Sequence, residues 1–128
     1  MKVLTVKQPW ATLIAKGYKE YEFRSWRTKY RGELLIHAGV GEDKKAFERF
    51  KHLNLEYPKG VIVAKVNVTD CIEVSRKFAD ELYEKDHNVY GGFGDDDLGY
   101  AWKLEDIKEI ESNEIIKGKL SIWDLDFS

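Results

Sequence analysis

Three side chains that could act together on a ligand lie near residue 20. Lys19, Glu22 and Arg24 are three and two residues apart. If the segment is extended, Glu22 and Arg24 share one face of a strand. A carboxylate accepts hydrogen bonds from the amine or N–H of a base, and a guanidinium can hold that carboxylate in place. These residues therefore indicate either a polar cluster that faces a ligand or a structural ion pair.

The surrounding segment, residues 16–32, combines cations with aromatic rings. It contains six Lys or Arg residues, five aromatic residues and two carboxylates, although the whole chain has a formal charge of −2. Lys and Arg bind phosphates, and aromatic rings stack on unpaired bases. For Arg27, Lys29 and Arg31 we expect phosphate contacts or plain solvation. For Trp26 we expect either stacking on a base or packing at one end of the fold.

Charge is distributed unevenly along the chain. Residues 1–65 contain 14 Lys or Arg and 7 Asp or Glu, whereas residues 66–128 contain 7 and 16. Such a chain can present a basic face to a polyanion, or its halves can neutralise each other within the fold. The single cysteine excludes an internal disulfide, and no apolar run reaches the length that crosses a bilayer. We expect a cytoplasmic protein without membrane contact, metal or cofactor.

The elements that position these residues follow from the periodicity of the sequence. Alternating or β-branched runs predict strands at 1–6, 20–26, 32–38, 60–74, 100–111 and 119–127. Helical spacing and capping residues predict helices at 8–17, 41–55 and 75–86. Strands dominate without regular alternation with helices. We therefore predict an α+β fold, a small closed or half-closed β-barrel with helices on its rim, as one domain over 1–128.

Five stretches in order along the chain resemble one known family. They are QPWATLI at 8–14, GYKEYEFRSW at 17–26, YRGELLIHA at 30–38, GYAWKLEDI at 99–107 and KGKLSIWDL at 117–125. Together they resemble the ASCH family of the PUA-like superfamily. The resemblance implies a PUA-like β-barrel with a cleft that binds RNA or a nucleobase-containing ligand. The family's G-x-K-x-x-E-x-R pattern lies beside that cleft and stands here as Gly17, Lys19, Glu22 and Arg24.

Further candidates lie outside the basic segment. Gln8, at the start of the first helix, is a candidate ligand contact. Tyr100 and Trp102 share one face of a strand that the resemblance places near the cleft, so they form either core or ligand wall. A loop with three aspartates, Asp95 to Asp97, is expected to be solvated and is a candidate gate for the cleft.

Three classes of function fit these observations. The first is a non-catalytic module that binds RNA or a modified nucleobase, with single-stranded DNA as a further possible ligand. The second is a hydrolase, either a ribonuclease or an N4-acetylcytidine amidohydrolase, with Lys19, Glu22 and Arg24 as its catalytic residues. The superfamily's amidohydrolases carry a threonine nucleophile three residues after the lysine, where this chain has Glu22, and this difference favours the non-catalytic module. The third is a domain that binds a protein partner.

Overall fold

Strands dominate the computed structural model, which describes residues 1–91 and 98–127. The strands are β1 Lys2–Gln8, β2 Tyr21–Arg24, β3 Gly32–Glu42, β4 Ile62–Glu73, β5 Tyr100–Glu109 and β6 Ile122–Asp124. The helices are α1 Trp10–Ala15, α2 Lys44–Phe50, α3 Arg76–Lys85 and α4 His87–Tyr90, and a 3₁₀ turn covers Lys51–Leu53. In these ranges no helix is long and apolar enough to cross a membrane. The loop at Asp95 to Asp97 lies outside the described residues.

The strands form one mixed sheet in the order β2-β5-β4-β3-β1-β6. The β1–β3 pair is parallel, and the other pairs are antiparallel. The predicted α+β class is confirmed. A closed barrel is not confirmed, because β2 and β6 are the two edges of the sheet in the described ranges. These edge strands have only four and three residues, so neither offers a long ladder for closure.

The sheet nevertheless curls until β2 approaches β1. One Arg24 guanidinium nitrogen, on β2, donates to the backbone carbonyl of Thr5 on β1 at 2.9 Å. Three strands separate β2 from β1 in the sheet, so in a flat sheet they would lie roughly 19 Å apart. An arginine side chain cannot span that distance. The contact therefore shows that the sheet is strongly curved, with one face turned inward.

Local sequence explains where the elements begin and end. Asp43 caps α2 by accepting from the Ala46 N–H, and Ser75 caps α3 by accepting from the Phe78 N–H. Gly17 has a φ of +85°, which lets the chain turn sharply between α1 and β2. Strand β3 extends beyond its predicted end and runs to Glu42.

The Asp43 cap provides a test of this fold. Asp43 also accepts from the Trp10 indole N–H at 3.1 Å, which ties α2 to α1. We expect Asp43→Ala to lower the free energy of unfolding by about 1–2 kcal/mol in urea titrations, since a cap is removed. Asp80→Ala, on the exposed face of α3, is the matched control and should change stability by less than about 0.5 kcal/mol. Equal effects of the two substitutions would contradict this role for Asp43.

Candidate functional site

A cleft of about 1050 Å³ opens on one side of the curled sheet. Its walls come mainly from residues 5–7, 22–26, 39–41, 89–91 and 115–121, and Trp10, Lys19, His37 and Gly60 also line it. Ligand sites in proteins typically occupy about 300–1,000 Å³. The cleft is therefore large enough for a small ligand or for one unit of a longer chain.

One wall of the cleft contains a buried ion network centred on Glu22. Glu22 is only 5% exposed. Its Oε1 accepts from Lys19 Nζ at 2.9 Å, and its Oε2 accepts from Arg24 Nε at 3.1 Å and Nη2 at 2.8 Å. All three side chains also line the cleft. The cluster is thus a structural ion network and at the same time part of the cleft wall.

Lys19 is held by aromatic rings as well as by the carboxylate. Its Nζ lies 4.6 Å from the centroid of the Trp10 ring and 5.4 Å from that of Phe23. The residue is 4% exposed, so little water reaches its ammonium group. Ring faces attract cations more strongly where water is excluded. The Lys19 charge is therefore balanced by one carboxylate and two ring faces.

The electrostatics fix the protonation state of Glu22. Burial alone raises the pKa of the Glu22 carboxyl, but the charges and hydrogen bonds of Lys19 and Arg24 together outweigh burial. The pKa of Glu22 is consequently lower than its ordinary value. An ionised carboxylate has about four acceptor positions, of which this network uses three. One acceptor position of Glu22 therefore has no partner among the described residues.

Trp26 supplies an aromatic ring to the cleft, and Trp102 lies in the core beside it. The two ring centroids are 4.8 Å apart at an interplanar angle of 83°. Trp102 is fully buried on β5, whereas Trp26 is half-buried and lines the cleft. Tyr100 is half-buried outside the cleft lining, with the Arg27 guanidinium 5.2 Å from its ring centroid. Of these three rings, Trp26 alone lines the cleft.

Gln8 lies outside the cleft lining and is fully buried. Its Nε2 donates to Thr12 Oγ1 and to the Pro58 carbonyl, both at 2.8 Å. Its Oε1 accepts from the Thr12 backbone N–H at 3.0 Å. These bonds occupy both ends of the amide, so Gln8 fixes the start of α1.

The three basic residues after Trp26 also lie outside the cleft lining. Arg31 donates to the backbone carbonyls of Thr28 and Tyr30 and lies 3.8 Å from the Asp70 carboxylate. Lys29 and Arg27 are exposed on the same connection. Phosphate contact by these residues remains a prediction, on a surface separate from the cleft.

The cleft has a basic wall that sequence reasoning missed. Lys7, Lys117 and Lys119 are exposed and line it. The last two belong to the segment 115–121, which joins β5 to β6 without regular structure. The clue in the sequence was the Lys-Gly-Lys triplet at 117–119, but nothing in the sequence placed it in the same cleft as Glu22.

Buried polar contacts hold this segment against the sheet. His37 Nε2 lies 2.7 Å from the Ile116 carbonyl, and because a carbonyl only accepts, Nε2 carries the proton. His37 Nδ1 lies 3.1 Å from Thr5 Oγ1, which in turn accepts from the Trp123 indole N–H. A Cβ atom at Gly118 would lie 2.9 Å from Thr5 side-chain atoms, so only glycine fits there without a shift. The position of the basic wall is therefore fixed by packing.

The ion network predicts a specific dependence of stability on pH. Glu22→Gln removes the charge that compensates Lys19 and Arg24, and we expect it to cost about 3–5 kcal/mol at neutral pH. Because the folded-state pKa of Glu22 is lowered, its stabilisation is present above the unfolded value near 4.5 and is lost as pH falls through the folded pKa. The stability difference between wild type and Glu22→Gln should therefore shrink in acid.

Urea unfolding at several pH values measures this difference. Glu33→Gln is the control, because Glu33 pairs with Lys65 at 2.9 Å on an exposed surface. Exposed pairs contribute little, so the control should differ from wild type by less than about 1 kcal/mol. If the two variants lose equal stability at neutral pH, the ion network is not the constraint described here.

The sequence is similar to those of known proteins. Residues 4–117 match the family model of the ASCH domain. Activating signal cointegrator 1 from Homo sapiens is 28% identical over 135 residues, which cover 96% of this chain and 22% of that protein. The protein of the same name from Mus musculus is 28% identical over 138 residues, with the same shares. This chain thus matches about a fifth of the length of these relatives, and, because the family model matches most of its residues, it belongs to the ASCH domain family.

Proposed function

We propose that this protein is an RNA-binding module that holds an unpaired base, plain or modified, in its cleft. One observation carries the proposal: an ionised, buried carboxylate with a spare acceptor position lies in the same cleft as a half-buried tryptophan ring. The carboxylate of Glu22 accepts a hydrogen bond from the edge of the base, and the ring of Trp26 stacks on the face of the same base. Both contacts require a base that is not paired, so the ligand is single-stranded.

The rigidity of Glu22 supports recognition of a ligand. Its three hydrogen bonds hold the carboxylate in one orientation, so little conformational freedom is lost when a ligand binds. A fixed acceptor discriminates between ligands, because a group without an N–H donor leaves the fourth acceptor position of the carboxylate without a partner. Every natural base has at least one such donor on its Watson–Crick edge. This contact therefore discriminates unpaired bases from paired ones, but it does not by itself discriminate one base from another.

Hydrolysis is the second candidate, and one contact favours it. Thr5 Oγ1 lies 3.1 Å from His37 Nδ1, and both residues line the cleft. A hydroxyl bonded to an imidazole is a known arrangement for nucleophilic attack. However, the Thr5 hydroxyl also accepts from Trp123, and the His37 ring is bonded to the Ile116 carbonyl, so both groups have structural partners. Binding without catalysis is therefore the first proposal.

The stacking role of Trp26 can be tested with two substitutions. Base stacking on an aromatic ring contributes about 1–3 kcal/mol, which corresponds to a loss of about 5- to 150-fold in affinity. We expect Trp26→Leu to weaken binding of fluorescent single-stranded RNA within this range, and Trp26→Phe to retain most of it. Fluorescence anisotropy measures the affinity, and thermal unfolding gives the folded fraction of each variant.

Tyr18→Leu is the matched control, because Tyr18 is an exposed aromatic residue outside the cleft lining. We expect its affinity to equal that of the wild type. If Trp26→Leu also binds like the wild type when fully folded, the base does not stack there and the proposed function is wrong.

Catalysis is tested on the same samples. We expect no release of acetate from N4-acetylcytidine and no cleavage of the RNA, because Lys19 is engaged by Glu22 and two rings. Chromatography of the incubated samples detects either product. Turnover that Lys19→Met or Thr5→Val abolishes in a folded protein would instead establish the hydrolase and identify which group acts.

A further inference from the structure

The lysine wall is defined as Lys7, Lys117 and Lys119, three exposed cations that line one cleft. Among the described residues, none of these three lysines forms an ion pair, although Lys119 Nζ lies 5.7 Å from the centroid of the Trp123 ring. Many other lysines of the described surface are paired with carboxylates, as are Lys2, Lys16, Lys51, Lys59, Lys65 and Lys85. What distinguishes the lysine wall is that three cations without a carboxylate partner in the described residues meet at one cleft.

The three lysines line one cleft. Thr5 and Lys7 are two residues apart on β1, so their Cα atoms lie about 7 Å apart, and both line the cleft although the strand has an irregular register between Val6 and Gln8. Gly118 packs directly on the Thr5 side chain, and it is flanked by Lys117 and Lys119. The Lys7 side chain lies over Gly41: a Cβ atom added at Gly41 would lie 3.3 Å from Lys7 Cγ. The fold therefore gathers cations from two distant parts of the sequence.

The backbone beneath the lysine wall is fixed. The Ile116 N–H donates to the Gly60 carbonyl at 2.7 Å, and the Ile116 carbonyl is bonded to His37 Nε2 at 2.7 Å. The lysine side chains are thus exposed on an anchored segment. Exposed cations on a fixed backbone are suited to binding an anion.

The two walls differ in how accessible their charges are. Lys19 and Arg24 are both bound to Glu22, and Lys19 is buried, so the positive charges of this cluster are engaged within the fold, whereas the lysine wall has exposed ammonium groups that can contact a phosphate. A nucleotide suits this arrangement, with N–H donors on its base and negative charge on its phosphate. A base at Glu22 and Trp26 therefore leaves its phosphate to the exposed lysines.

We propose that the phosphates of the bound RNA strand lie on Lys7, Lys117 and Lys119, and that the connection from Arg27 to Arg31 does not carry them. This inference rests on the proposed function, since it assumes that a base occupies the cleft. None of Arg27, Lys29 and Arg31 lines the cleft. Arg31 is engaged with two backbone carbonyls and Asp70, and Arg27 lies over the Tyr100 ring, whereas Lys29 forms no ion pair among the described residues. The ligand is consequently a phosphorylated nucleotide unit, and a free base or nucleoside binds more weakly.

Two matched triple variants test this proposal. The first is Lys7→Gln, Lys117→Gln and Lys119→Gln, and the second is Arg27→Gln, Lys29→Gln and Arg31→Gln; each removes three exposed charges. Binding of a fluorescent single-stranded RNA oligomer is measured across a salt series. Neutralising three phosphates of a single strand gives a log–log slope of about −2. We expect the first triple variant to bring this slope close to zero and to weaken binding at least tenfold at low salt, and the second to keep the wild-type slope.

The outcomes separate this inference from the proposed function. If Trp26→Leu weakens binding but the lysine triple variant does not, the base site stands and the phosphate track is elsewhere. Loss of the salt dependence in the Arg27–Arg31 variant alone would overturn the inference in favour of that connection. No RNA binding by the wild type would overturn both proposals.

A second set of ligands tests whether the phosphate group of the ligand contributes to binding at the lysine wall. A nucleoside, its 5′-monophosphate and the oligomer are compared for wild type and for the lysine triple variant. We expect the monophosphate to bind more tightly than the nucleoside, and the oligomer more tightly than both. The lysine variant should remove these differences. Equal affinity of the wild type for nucleoside and monophosphate would contradict a phosphate site on the lysine wall.

Discussion

The buried carboxylate of Glu22 is the constraint on which the rest of the site depends. An ion of this kind without partners costs several kcal/mol, so the fold must supply cations at fixed distances from it. Lys19 comes from the turn after α1, and Arg24 comes from the end of β2. The Arg24 guanidinium then reaches the Thr5 carbonyl and connects β2 to β1. One buried charge thus links the helix turn, an edge strand and the far side of the sheet.

This network also explains why the cleft lies where it does. Pairing between β1 and β6 ends at Leu4, so beyond that residue the sheet has no strand on this side of β1. Arg24 binds the carbonyl of the next residue, Thr5, and the segment 115–121 covers the opening from the other side. The open side of the curled sheet therefore becomes a cleft lined by polar groups. A closed barrel would fill this space with further strand pairing.

Much of the fold could be predicted because it depends on local patterns. The alternation within the predicted strand 20–26 puts Tyr21 and Phe23 on one face, and both rings pack on Tyr90. The capping residue Ser75 likewise indicated the start of α3. The resemblance to the family located Lys19 and Glu22. Helix α4 was missed, since its four residues are too few to show a period and its cap, Asp86, ends the preceding helix pattern.

The rest of the site could not be predicted because it depends on contacts between distant residues. Lys117 and Lys119 line the cleft because the neighbouring Ile116 is held in place: its backbone carbonyl is bonded to His37, which lies 79 residues earlier in the chain. A segment without period 2 or 3.6 gives no signal of the surface on which it packs. Gln8 shows the same dependence. Its polar amide and its position beside α1 made it a candidate ligand contact, but it is buried, and one of its hydrogen-bond partners is Pro58, 50 residues away. Sequence patterns thus indicate the chemistry of a residue more reliably than its exposure.

The chemistry of the two walls distinguishes between classes of ligand. A basic peptide is repelled by the exposed lysines and by the net positive charge of the cluster of Lys19, Glu22 and Arg24. The carboxylates of an acidic peptide would satisfy the lysine wall, but they offer no hydrogen-bond donor to Glu22. A nucleotide carries N–H donors on its base and negative charge on its phosphate, so it would suit both walls in a single orientation. The buried ion network fixes the first wall and the packing of Gly118 on Thr5 fixes the second. The two walls are therefore preorganised independently, and the affinity for a nucleotide depends on the distance between them.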